Sequence, residues 1–410
     1  MRGIEMNNAA NKLKIFRRIF AMISLIAIIT TTSVYLRADT GTCGGQTITL
    51  PFTDVTAGNV FFCSIAEAFL SGLTNGTNGT TYSPSDPVTR EQMAAFVTRT
   101  MDQSLKRGSE RAALNQYWIT QGTNNLALTA VGNNPKHCQS DGADVWVANN
   151  DGDSVSRVRA SDGKLLDTWT GATNAFGVLC AMGKVFVTGL MSPGRLYQLD
   201  PAQPAGAVNI LSSGLGNSAF GIAYDGQRIW TSNLGGSVSI ITLNPTSVAN
   251  VTTGFTSPLG IIYDGANIWV TDNISGTADK LRQLDATGAI LRSVDVGDNP
   301  RPPAFDGTNI WVPAFNSNSV TVVRATGGLA GTVLATLTGN GLNGPQQAAF
   351  DGERILVANF TGDSVSLWKA SDFTRVGTFS TGTGTLPLGA CSDGLNFWIT
   401  LQGIDTVARF

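Results

Sequence analysis

"YDGANIWVTDN" (residues 263–273) holds a turn signal and a strand signal within eleven residues. Asp264-Gly265 reads as a tight hairpin turn, because glycine accepts the positive φ that such turns need. Ile268, Trp269 and Val270 read as a strand, since β-branched and aromatic side chains suit a pleated, packed surface. Nearly the same phrase recurs as "SDGADVWVANN" (140–150), "AMGKVFVTGL" (181–190) and "YDGQRIWTSN" (224–233) before it. "FDGTNIWVPAFN" (305–316), "FDGERILVANF" (350–360) and "SDGLNFWITLQ" (392–402) follow it.

The shared glycines are Gly142, Gly183, Gly226, Gly265, Gly307, Gly352 and Gly394, separated by 41, 43, 39, 42, 45 and 42 residues. A period near forty with several short strands per unit predicts a β-propeller; a β-solenoid repeats at a shorter period. Each unit has a short apolar strand such as "GIIY" (260–263), the Asp-Gly turn and the "IWV" strand. A strand alternating in period two, "SVSIIT" (237–242), and a weaker fourth, "VANVTTG" (248–254), complete it. Four antiparallel strands make one blade. The last unit stops at Phe410 after three strands, and "NLALTAVG" (125–132) offers the missing fourth. Pairing these ends removes an open sheet edge. The fold predicted is mainly β: a seven-bladed propeller behind a small N-terminal α-helical module.

Lys+Arg and Asp+Glu nearly cancel, 27 against 29, and charged residues are only 14%, so nothing suggests nucleic acid as a partner. The N-terminus differs: Lys12, Lys14, Arg17 and Arg18 precede the apolar run "IFAMISLIAII" (19–29). This describes an export signal, cleaved after Ala38 or kept as an anchor, although the run is short for a membrane span. Export permits disulfides. Cys43 and Cys63 are expected to pair within the N-terminal module. Cys138, Cys180 and Cys391 precede three repeat turns, on strands that would line the propeller axis; they read as small buried hydrophobes, and a bridge between two of them stays open.

Residues 52–101 do not follow the repeat and read as two short helices. In the first, Ile65, Ala68, Phe69 and Gly72 fall on one face, with Gly72 at the exit. The second opens with Thr89-Arg90-Glu91-Gln92, a capping-box pattern, and Met93, Phe96, Val97 and Met101 form an apolar stripe. The domains read are 1–38 export signal or anchor, 39–101 helical module, 102–122 helical linker and 123–410 propeller.

Two resemblances extend this reading. Residues 123–410, through their Asp-Gly-x-x-[Ile/Val]-Trp-Val phrase, resemble propellers of the YVTN/NHL type, a fold also seen in lactonases and streptogramin lyases. That motif speaks to fold, not function. Residues 52–101 resemble an S-layer homology (SLH) domain. Phe52-x-Asp54-Val55 matches its opening, Ile65 and Gly72-Leu73 its first helix and exit, and "YSPSDPVTREQMAAFVTR" (82–99) its second segment. Such domains usually come in threes, whereas one is visible here, and the family's common Trp falls at Val60, beside Phe61 and Phe62. The resemblance implies attachment to cell-wall polysaccharide, often pyruvylated. It makes Arg90, with Thr89 beside it, the candidate polymer contact, since a guanidinium fork suits a carboxylate. The alternative for Arg90 is a solvated first-turn residue.

No catalytic constellation stands out. His137 is the single histidine, so a His-rich metal site is excluded and any Ser-His-Asp triad would have to use it. It reads as a structural or loop residue. "NNDGDS" (149–154) spaces Asp151 and Asp153 like calcium ligands, but its equivalents vary in carboxylates, which favours a hairpin turn. "GTGTLPLG" lacks the strand–turn–helix context of a phosphate loop, and no cofactor is expected. Two functions remain. One is an exported envelope protein whose propeller binds a protein or small ligand on its face, with self-association adding avidity. The other is a lactonase- or lyase-type enzyme using carboxylates and a divalent metal.

Overall fold

The computed structural model describes residues 40–43, 46–70, 74, 76–97, 127–274 and 279–410. The export segment, the linker, Gly72-Leu73 and Met101 lie outside the described residues. The chain divides into two compact units.

In the N-terminal unit, β1 (Thr40–Cys43) pairs antiparallel with β2 (Gln46–Thr49). The Cys43–Cys63 disulfide ties this hairpin to helix α1 (Phe62–Leu70). The buried face of α1 is rotated from the one read in the sequence. Phe62, Ile65 and Ala66 are buried with Leu50, Phe52 and Val55, while Phe69 is half-buried against them. The rings of Phe69 and Tyr82 lie 5.1 and 5.4 Å from that of Phe52. Ala68 is only half-buried. The helix begins on Phe62, which starts the i, i+3, i+4, i+7 stripe three residues early. Phe62 fits because Gly41 faces it: a Cβ there would stand 2.5 Å from the ring. Val60 and Phe61 stay exposed, so Phe62 supplies the aromatic core residue. Helix α2 is described over residues 90–97. Its expected apolar stripe is only partly covered: Met93 and Val97 are 54% and 59% exposed, whereas Phe96 is half-buried.

The C-terminal unit is seven four-stranded antiparallel sheets. In blade one the strands run Pro135–Ser140, Asp144–Asn149, Ser154–Arg159 and Leu165–Thr170 from axis to rim. Blade seven takes Pro387–Ser392, Phe397–Leu401 and Thr406–Arg409 from the chain end, and Ala127–Ala130 from upstream. Ala127 pairs with Arg409 and Ala130 with Thr406, so the ring is closed by joining the two ends of the repeat region. This is the pairing read in the sequence.

The recurring phrase has a packing reason. Both faces of a blade's second strand are covered by neighbouring blades, and in blade one it is buried along its whole length. Its tryptophan wedges into the next blade: Trp146 packs on Val178, Val185 and Tyr197, and Trp269 on Ile310, Val312 and Val323. A buried indole must still place its N–H. The turn aspartate five residues earlier accepts it. In Asp264, Oδ2 takes the Trp269 Nε1–H at 2.7 Å while Oδ1 takes the Ala266 and Asn267 N–H groups at 2.8 and 2.6 Å. Asp141, Asp225, Asp306 and Asp393 repeat this with Trp146, Trp230, Trp311 and Trp398. In blade six Leu356 stands at the tryptophan position, and the Asp351 carboxylate instead accepts Arg354 at 2.8 Å. Gly265, at φ +94°, reverses the chain just after the aspartate. Replacing Asp264 with Ala strands the Trp269 N–H in the core. Urea unfolding should show a loss of about 1–3 kcal/mol, and unchanged stability would refute the coupling.

Candidate functional site

The first strands of all seven blades surround a central cavity of 620 Å³. Near one end of these strands, neighbouring blades approach closely. A Cβ on Gly177 would stand 2.5 Å from the Phe220 carbonyl oxygen, and one on Gly221 2.7 Å from that of Leu259. Glycine is required for that approach. His137 occupies the equivalent place in blade one, as the register with the second strand shows. Its ring lies 4.9 Å from Phe176 and 5.4 Å from Phe220, edge to face. Burial, with the positive charges of Lys136 and Arg301, pushes its pKa down to about 3. His137 is therefore neutral at neutral pH and sits in the wall of the ring.

Two cations accompany it. Burial lowers the pKa of Lys136, opposed by the Asp151 charge, and its Nζ donates to Gln402 Oε1 at 3.1 Å. Burial also lowers that of Arg301, whose guanidinium lies 4.8 Å from the Phe315 ring. Toward the turns the lining becomes aromatic and small, with Tyr224, Tyr263, Phe305 and Phe350 beside Ser140 and Ser392. Gln139 and Gln347 are in the wall, but their amide oxygens accept the Cys180 and Ala390 N–H groups of adjoining blades at 2.7 and 3.2 Å.

Among the described residues no carboxylate lines this cavity. Among the described residues no group of three or more His, Cys, Asp and Glu is placed to hold a metal ion. Burial raises the Cys180 thiol pKa, as do the charge of Asp141 and the nearby Cys138, and burial likewise raises Cys391. Neither supplies a ready thiolate. The "NNDGDS" aspartate is structural: Asp153 Oδ1 accepts the Asn174 N–H at 2.8 Å, joining blade one to blade two. Asp363 does the same in blade six, taking the Gly384 and Leu386 N–H groups at 2.7 and 2.9 Å. The cavity does not suit a cationic ligand, because a positive charge here would meet no carboxylate from its lining.

The second candidate site lies on the N-terminal unit. Thr89 and Gln92 form the reciprocal cap read in the sequence. The Thr89 N–H donates to Gln92 Oε1 at 2.8 Å, and the Gln92 N–H donates to Thr89 Oγ1 at 3.2 Å. Arg90 follows in the first turn of α2 and is exposed. Among the described residues no ion pair holds its guanidinium. The cap commits the Thr89 oxygen and fixes where Arg90 leaves the backbone. Asp54, matched in the opening phrase but given no role there, anchors the loop before α2. Its carboxylate accepts the Tyr82 and Ser83 N–H groups at 2.8 and 2.7 Å. Desolvation is the largest single influence and opposes ionisation, but the backbone donors together outweigh it and hold the Asp54 pKa below its usual value. The Phe-x-Asp spacing was the available signal.

Comparison with known proteins agrees with both units. Residues 51–94 match the family model of the S-layer homology domain. No curated protein matches the chain. Among solved structures, a streptogramin B lyase superposes with a TM-score of 0.58 at 15% identity, covering 69% of this chain and 97% of that one. Hydrazine synthase of Kuenenia stuttgartiensis gives 0.58 at 17%, covering 69% and 97%. The WD40 β-propeller domain of Doa1 gives 0.57 at 12%, covering 71% and 97%. At such identities these likenesses show the fold alone. No helix among the described residues is long and apolar enough to cross a membrane.

Proposed function

We propose that this is an exported cell-envelope protein, tethered to cell-wall polysaccharide by its S-layer homology domain, whose propeller serves as a binding platform. The observation that carries this reading is the family match over residues 51–94. An S-layer homology domain is a cell-surface anchoring module, and here its capped second helix leaves Arg90 exposed to solvent. Arg90 supplies the guanidinium for an acidic group on the polymer, and Thr89 orients it through the cap. The propeller presents its face to a protein or a small ligand. Self-association of several copies raises the avidity of a module that is weak alone. The enzyme alternative called for carboxylates on one face of the ring and a divalent metal, and among the described residues no group of three or more His, Cys, Asp and Glu is placed to hold one.

Arg90→Ala tests the tether. A charge-assisted contact of this kind is worth about 1.5–3 kcal/mol, so binding of the full chain to purified cell walls should weaken at least about tenfold. The circular dichroism melt should stay unchanged, since the side chain is exposed. Undiminished wall binding by this variant would remove Arg90 from the site.

A further inference from the structure

Three cysteines lie on the inner strands of adjacent blades: Cys391 in blade seven, Cys138 in blade one and Cys180 in blade two. They are not equivalent. The Sγ atoms of Cys138 and Cys391 stand 2.7 Å apart. Unbonded heavy atoms rest at about 3.5–4.0 Å, and a disulfide bond measures about 2.05 Å. Two separate thiols are therefore too close here, and a small approach makes a bond. A shared zinc ion does not fit either, since two sulfurs at ~2.3 Å from one tetrahedral zinc stand about 3.7 Å apart. Cys180 instead directs its sulfur to the Gln139 carbonyl oxygen at 3.9 Å.

The position matters for the ring. Cys138 and Cys391 are 253 residues apart in sequence and meet across the seam where the last blade adjoins the first. They share one apolar cluster with Val145, Val147 and Trp398. We infer that Cys138 and Cys391 form a disulfide in the exported protein, a covalent lock between the last and first blades, added to the hydrogen-bonded Ala127–Ala130 strand that completes blade seven. This rests on the export in the proposed function, because only an oxidising compartment sustains such a bond. Forming it breaks two S–H bonds and makes one S–S bond. Two protons are released, and two electrons pass to the disulfide of an exported thiol–disulfide oxidoreductase, which becomes a dithiol. Burial disfavours thiolate at Cys391 once the ring is closed, so exchange belongs to the folding stage and the finished bond is shielded from reductants.

Trypsin places the three cysteines on separate peptides, 137–157, 165–184 and 376–409. Full-length protein recovered from the producing cells' envelope fraction should be denatured in alkylating agent without reductant and mapped by mass spectrometry. The expected result is peptide 137–157 linked to 376–409, two hydrogens lighter than the sum, with Cys180 alkylated. Cys43–Cys63 is the internal control. If that pair is linked while Cys138 and Cys391 are alkylated, or if either is bonded to Cys180, the inference is overturned and the export reading stands. If all five cysteines are alkylated, both fall.

Discussion

Removing residues 405–410 is expected to abolish the folded propeller. The deletion takes away Thr406–Arg409, the strand between Phe397–Leu401 and Ala127–Ala130. Val407 and Ala408 are fully buried in it. Arg409 donates to the Ala160 and Ser161 carbonyls of blade one and lies 5.8 Å over the Trp398 ring, so the seam to blade one is lost too. The upstream strand is left without its partner, and Phe397–Leu401 becomes an open apolar edge, a template for pairing between molecules. Stability of the whole domain is only about 5–15 kcal/mol, less than the loss of a central strand with its packing removes. Size-exclusion chromatography should find aggregate or no soluble product. A monomer melting cooperatively near the full-length temperature would contradict closure at this seam.

Acid should weaken the propeller through one residue. His137 titrates near 3 in the folded chain, whereas an unfolded histidine titrates near 6.5. The unfolded state therefore binds the proton first. The contribution is fully present above pH 6.5 and is lost as the pH falls toward 3. Between pH 7 and 4 this amounts to roughly 3 kcal/mol, at about 1.4 kcal/mol per unit. Asp141 and Asp225, held below the usual range, add their own losses mainly below pH 4, which leaves the upper window to the histidine. Urea unfolding at pH 7 and pH 4 should show this fall, and His137→Phe should remove most of it while keeping an aromatic ring against Phe176 and Phe220. Equal losses in both proteins would show that His137 is not the source.

The repeat was legible because each blade needs the same turn and the same buried second strand, so the phrase recurs with its period. Ring closure was legible from a missing strand at one end and a spare one at the other. The Asp–Trp bond was written in the sequence as a constant spacing of five, but its meaning needs the knowledge that the indole is buried. Helix α1 shows a different limit. Two overlapping stripes fit its sequence, and the choice of Phe62 over Ala68 depends on Gly41 in a separate hairpin. The stripe of α2 was periodic, yet period alone does not say which of its members are covered: Phe96 is half-buried while Met93 and Val97 are exposed. His137 stood outside the repeated phrase, and its burial follows from rings on two other blades. The meeting of Cys138 with Cys391 appears only once the ring is closed. Arg90 is a candidate through the family resemblance of its segment, a signal of position and not of any contact.

The tether is tested most directly by co-sedimentation of the full-length protein with purified cell walls, with soluble wall polysaccharide as competitor. The account predicts that the protein pellets with the walls and is released to the supernatant as competitor is added. Protein that stays in the supernatant without competitor, or pellets equally with it, would contradict attachment through the S-layer homology domain.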